Sequence, residues 1–476
     1  MRKLALFEDL VETTRGDIQH LVLQAASFLK ALPYLTEYSG IQTPELPEAL
    51  EFLDRPLVHS VLRRALLSDS DLELVFTKLR QTYLECTDMP VEHRGLIASL
   101  AAQCFNNNYA WLATRSERQR LDDLMMKDVV SVDEIMILAM YRPLALLPEA
   151  VWKPHLDCYD PDFSYLLSKQ IREPAIELEL QQTLPSLGPI DDVTSKRVAE
   201  QYQQNPYPRW FSIPPQTSEL LSERMHLWCS NAYSSNSDDI LVAGCGTGQH
   251  PVHLAGSFPH SRVVAMDLSH ASLAYGKRRC QDFGIDNLEF WHGDILALHN
   301  KPEWRARFGF VDAVGVLHHL QSPLEGCRAL CSMMAPGGVL RVGLYSALAR
   351  REAGVDEARS LWVGQPEPRS EIQLQKSRRR LLGSGLTRFL DFYALNGFRD
   401  LMFPAQETRF TILEAVEMLR EVGLSVVCLQ VTERVQKRFL ADNARSSLTD
   451  WQAWDRYEQQ HLSTFVGMYN FLAVAA

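Results

Sequence analysis

No stretch of this chain approaches the about 20 consecutive apolar residues that a membrane-spanning helix needs. The opening MRKLALFEDLVETTRGD meets acidic residues after too few apolar ones for a secretory leader. Positive charge is also short. The 48 Lys and Arg stand against 59 Asp and Glu, and the formal net charge of -11 argues against general affinity for nucleic acid or anionic lipid. Nine cysteines are present, an odd number, and no Cys-x-x-Cys occurs. Cys327 and Cys331, four apart on an expected helix, read as core packing rather than half of a zinc site. These absences lead us to expect a soluble, cytoplasmic protein with no metal centre, no nucleic-acid partner and no membrane association.

What is present describes a globular chain too long for one ordinary core, at 476 residues with 46% hydrophobic and 22% charged side chains. Residues 1–190 read as helix after helix. Segments such as 17–32, 56–67, 71–86, 95–113 and 132–147 repeat apolar residues at three- and four-residue spacing. No clean period of about 34 residues emerges, so a tetratricopeptide assignment finds little support. A connector rich in Pro, Gln and aromatics occupies 191–235. From 236 the pattern changes to short apolar runs alternating with helical stretches, the signature of an α/β domain with a parallel sheet and a ligand crevice at the strand carboxyl ends. A charged insertion is expected at 347–408. A capping box at Thr411 and Glu414 then opens a helix, and two further strands close the domain.

The stretch LVAGCGTGQH (241–250) places Gly244, Gly246 and Gly248 directly after the first apolar run. It is neither the Gly-x-Gly-x-x-Gly of dinucleotide folds nor a loop ending in Gly-Lys-Ser/Thr, and without that lysine a triphosphate is a poor fit. A ligand with a ribose and an aliphatic part but no pyrophosphate suits it better. Asp267 ends the second strand, where a carboxylate can accept from both ribose hydroxyls. Asp294 ends the third, positioned to accept from an exocyclic adenine amine while Ile295 packs on the ring.

The motifs VAGCGTG, AMDLS, GDI, VGVLHHL and APGGVLRVGLYS resemble those of class I S-adenosylmethionine-dependent methyltransferases. The resemblance implies a Rossmann-like sheet of seven strands, the last inserted antiparallel, beside an all-α N-terminal domain. It implies S-adenosyl-L-methionine as cofactor, with Gly244, Cys245, Gly246 and Gly248 under the methionine part. Asp267 and Leu268 would lie at the ribose and Asp294 and Ile295 at the adenine. The segments 201–210, 397–403 and 407–411 are similar to those of bacterial proteins that join a helical, often tetratricopeptide-containing, N-terminal half to such a domain. There the second segment usually reads closer to Phe-His-Val-Gln-Glu-His-Arg-Phe-Thr. Pro404 and Thr408 stand here where the histidines are expected.

Methyl transfer from a sulfonium needs alignment and water exclusion first, and a base only when the nucleophile arrives protonated. His318 and His319, directly after the fourth strand, are the expected bases, with structural packing as their plainer role. Tyr207 and Arg209 lie in a proline-stiffened turn that could close over the cofactor, either residue reaching its carboxylate, or could wedge two domains apart. Glu407 and Arg409 could meet a substrate or each other. The Asp/Asn-Pro-Pro-aromatic motif of amino-group methylases is absent after the fourth strand, which reads Gly315-Val-Leu-His-His. No Pro-Cys pair exists for pyrimidine carbon-5 chemistry. The leading expectation is a methyltransferase whose helical half recruits a protein or peptide acceptor, because helical arrays form extended concave surfaces. A small-molecule or natural-product methyltransferase, with that half as homodimer interface or lid, is the first alternative. A non-catalytic module that binds the cofactor is the second.

Overall fold

The computed structural model describes residues 2–14, 17–30, 53–86, 93–203, 206–364, 367–368 and 370–475. Residues 31–32 of the first expected helix and Asn205 of the expected turn lie outside them. The chain forms two compact units, one of 1–176, 209–214 and 364–401, the other of 177–208, 215–363 and 402–476. The linear division at 190 and 235 therefore differs from the compact one. The connector is shared between the units, and most of the insertion joins the helical one.

Among the described residues, every named element before residue 240 is a helix. Local chemistry sets their ends. Asp69 caps Ser70–Glu85 by accepting from the Asp71 and Leu72 amides at 3.1 and 3.0 Å. Thr114 with Glu117 and Ser131 with Glu134 form reciprocal capping boxes at the starts of Arg115–Met125 and Val132–Leu138. Arg94–Asn106 is buried along its whole length from Leu96 and forms the axis of this unit. The helix Glu371–Arg380, from the expected insertion, is tied here by Arg378. This side chain is 1% exposed, and its Nη1 donates to Glu73 Oε1 at 2.7 Å. The insertion is thus less irregular than its composition suggests, because it also forms Ala347–Glu352, Val355–Ser360 and Leu395–Met402.

The second unit is a seven-stranded sheet. Its strands are β1 (Ile240–Ala243), β2 (Val263–Asp267), β3 (Leu288–His292), β4 (Phe308–Val314), β5 (Met334–Leu344), β6 (Leu424–Leu429) and β7 (Tyr469–Ala475). The order is β3-β2-β1-β4-β5-β7-β6, with β1 to β5 parallel and β7 antiparallel to both β5 and β6. This is the expected Rossmann-like methyltransferase arrangement. The strand order reverses at β1/β4, the switch point where such sheets open a crevice. One face carries the main core, in which Leu241, Val311 and Leu340 meet a layer containing Phe439 and Trp454. The last two rings stack at 3.7 Å and 9°.

Candidate functional site

The chain leaves β1 into a turn that only glycine accommodates. Gly244, Gly246 and Gly248 take φ of 67°, 53° and 81°, a left-handed region costly to residues with a Cβ. At Gly244 a Cβ would lie 2.3 Å from Val316 Cγ2, and at Gly248 it would lie 3.1 Å from Gly276 Cα. At Gly246 it would meet nothing closer than the Tyr207 carbonyl at 3.9 Å. Two of the glycines are therefore demanded by packing, while Gly246 leaves its backbone open. Gly248 also caps the helix Gln249–Ser257. The Cys245 thiol, 3.6 Å from the Gly246 carbonyl, is pushed well above its ordinary pKa by burial and stays protonated.

Asp267 joins this turn to the end of β2. Its Oδ2 accepts from the Gly246 amide at 2.8 Å and its Oδ1 from the Ser269 amide at 2.9 Å. Burial raises its pKa in spite of these donors. Each oxygen keeps a lone pair, so the group can still accept two hydroxyls. The Leu268 carbonyl is held by His292 Nε2 at 3.1 Å. Asp294, 3% exposed, accepts from the Leu296 amide at 2.9 Å and so caps the 3-10 helix Ile295–Asn300. Ile295 is 5% exposed and belongs to the main core.

The connector meets the same turn. Thr247 Oγ1 donates to the Pro208 carbonyl at 2.6 Å, and the Ala271 amide donates to Gln203 Oε1 at 3.2 Å. Tyr207 stands half-buried beside Pro208, across a cis peptide bond. Arg209 belongs to the helical unit, where its guanidinium lies 4.3 Å over the Phe105 ring.

Beyond β4, the structure brings His318 and His319 together with the returning segment 406–410. The Thr408 amide donates to the His318 carbonyl at 2.8 Å, His319 Nδ1 sits 2.7 Å from the Gln406 carbonyl, and the Phe410 amide reaches the Tyr345 carbonyl at 3.0 Å. His318 is 0% exposed and, among the described residues, neither ring nitrogen makes a well-formed hydrogen bond. It lies between His319 and Tyr345, with ring centroids at 4.3 and 4.0 Å, and the Arg350 guanidinium lies 3.6 Å over the Tyr345 ring. Burial first, then the neighbouring His319 and Arg350, hold His318 well below the usual imidazole pKa. His319 differs. Its Nδ1 must carry the proton to donate to Gln406, which leaves a lone pair on Nε2 of a half-buried ring. Glu407 pairs with Arg409 at 2.6 Å and Arg359 at 3.0 Å, so this pair of sequence candidates meets each other.

Sequence reading missed one cluster. On the sheet face opposite the main core, Arg341 of β5 donates from Nε to Asp312 Oδ1 of β4 at 3.1 Å. His250, on the first turn after the glycine loop, places Nε2 2.7 Å from Asp312 Oδ2. Burial would raise the Asp312 pKa, but Arg341 and His250 hold it at about 2. A cavity of about 330 Å³ adjoins these three and is also walled by Gly244, Gln430 and Asn470. The available signal was a charged residue inside each of two apolar runs, FVDAVGV and GVLRVGL.

Comparison with known proteins places this site in context. Residues 240–338 match the family model described as a methyltransferase domain. An uncharacterized protein of Synechococcus is 40% identical over 114 residues, covering 24% of this chain and 27% of that protein. The malonyl-[acyl-carrier protein] O-methyltransferase of Halalkalibacterium halodurans is 28% identical over 134 residues, 26% of this chain and 49% of the enzyme. The chain thus spans about a quarter to a half of these relatives' length. Among solved structures, PKMT2 from Rickettsia typhi in complex with AdoHcy aligns with a TM-score of 0.39 at 15% identity, over 55% of this chain and 54% of that one.

Proposed function

We propose that the chain transfers a methyl group from S-adenosylmethionine to a protein or peptide acceptor. The observation that carries the cofactor reading is the Gly246–Asp267 hydrogen bond, which joins an open glycine backbone to a buried carboxylate with spare lone pairs. These residues suit an adenosyl group with an amino-acid tail. Gly244, Gly246 and Gly248 let it approach the main chain, Asp267 would accept the ribose hydroxyls, and Asp294 and Ile295 would hold the adenine. When bound, the cofactor supplies a methyl group already activated by its sulfonium.

The remaining work falls to groups that align the acceptor and take its proton. His319 is the better-placed proton acceptor, because its free lone pair lies on a half-buried ring. His318, closed off and stacked on Tyr345, holds that ring in place. The protein or peptide acceptor is favoured by the size of the helical unit, larger than a small-molecule enzyme requires. Labelled methyl transfer into cell lysate, followed by size fractionation, tests both parts. Label is expected in macromolecules. Label confined to small metabolites would overturn the acceptor, and failure of the chain to bind the demethylated cofactor would overturn the reading as a whole.

A further inference from the structure

Faces of a parallel sheet are ordinarily apolar because helices cover them. Here one face carries a charged pair, Asp312 at 1% exposure and Arg341 at 14%, where apolar residues of similar volume would pack without desolvating an ion pair. The cavity beside the pair has further polar walls. Gln430 and Asn470 line it, and among the described residues neither side-chain amide has a hydrogen-bond partner. Arg341 uses Nε and Nη2 on Asp312, which leaves Nη1 uncommitted.

The uncommitted groups have a definite sign. Both Asp312 oxygens are taken by Arg341 and His250, so no carboxylate is left for a cationic ligand. What remains is an arginine N–H edge and two carboxamides, a set that donates to an anion and can accept from an ammonium. His250 adds a titratable group at the rim, its side chain 40% exposed. The volume, about 330 Å³, lies at the lower end of the roughly 300–1,000 Å³ of small-molecule pockets. At ~30 Å³ per water it displaces on the order of ten waters. A nucleotide or a folded peptide is too large.

We propose that this cavity binds a small carboxylate of amino-acid size on Arg341, Gln430 and Asn470. Two sources share that chemistry: a free metabolite, and the amino-acid end of the cofactor proposed above, since Gly244 and Cys245 form one wall. The site stands on its own polar groups in either case.

The test uses the full chain, with L-methionine and propionate as probes and thermal unfolding and calorimetry as readouts. Both probes are expected to stabilise the protein saturably. Gln430→Leu and Asn470→Leu, which leave the ion pair intact, should each weaken probe binding at least tenfold while circular dichroism stays that of the wild type. Titration with S-adenosylhomocysteine separates the sources. Additive binding of methionine assigns the cavity to a free metabolite. Mutual exclusion, with both variants also weakening S-adenosylhomocysteine, assigns it to the cofactor's end. Probe and S-adenosylhomocysteine affinities that are unchanged in both variants, or wild-type probes that bind nowhere while S-adenosylhomocysteine binding ignores both substitutions, would sink the proposal. If wild type binds methionine but not S-adenosylhomocysteine, the carboxylate site stands and the methyltransferase reading fails.

Discussion

His292, at the end of β3, lies flat against His270, at the start of the helix His270–Asp282, with ring centroids 3.6 Å apart and planes 19° apart. His292 Nε2 donates to the Leu268 carbonyl, which leaves Nδ1 to accept from Ser186 Oγ at 3.2 Å. The contact with Ser186 needs the neutral ring, while the one with Leu268 also suits the charged ring. Burial, reinforced by the neighbouring His270, lowers its pKa to about 4.

A pH dependence of stability results. A histidine with a depressed folded pKa binds its proton more tightly when unfolded, so unfolding takes up a proton between the two values. Stability should therefore fall as pH drops from about 6.5 to about 4 and level off below, by roughly 3 kcal/mol at most from this ring. Denaturant midpoints measured across that range should show the decline, and His292→Gln should flatten it. An unchanged slope in the variant would remove His292 as the cause.

The glycines of the loop should separate folding from binding. Gly244→Ala drives a Cβ into Val316 at a left-handed φ and should cost about 2–4 kcal/mol. Gly246→Ala meets open space, so its stability loss should stay near about 1 kcal/mol while S-adenosylhomocysteine affinity drops at least tenfold. Thermal unfolding and calorimetry on the two variants decide this. Equal losses of stability would contradict the assignment.

The two histidines after β4 should fail in different ways. His319→Ala should lower kcat by about 100-fold or more with little change in Tm, the size expected for a lost general base. His318→Ala opens space behind Tyr345 and should reduce stability first. Turnover untouched in His319→Ala would exclude it as the proton acceptor.

In the helical unit, Arg378→Met strands the Glu73 carboxylate, whose side chain is 4% exposed. The loss should be about 3–5 kcal/mol, and the double variant Glu73→Leu/Arg378→Met should recover much of it. A cycle of melting curves measures the recovery.

Much of the sheet was legible because its signals are local. Short apolar runs marked the alternation of strands and helices, and Thr411 with Glu414 announced the helix Ile412–Glu421 before the sixth strand. The glycine spacing and the acids after β2 and β3 could be picked out as candidates, because each sits at a strand end. Partnerships across the chain were not legible. Arg378 finds Glu73 305 residues away, so nothing near 378 marked the segment as part of the helical unit. The Asp312–Arg341 pair was equally hidden: a charge inside a strand shows which residue is odd, and only the register of β4 on β5 shows what neutralises it.

The position of β7 constrains how the sheet is assembled in the cell. Among the described residues β6 pairs with β7 and with no other strand, yet it leaves the ribosome roughly forty residues earlier. A nascent chain must therefore carry β6, and the exposed flank of β5, without partners until the final hairpin-like closure. The flank of β5 is covered only once β7 lies between it and β6, so the three strands close as one late cooperative step.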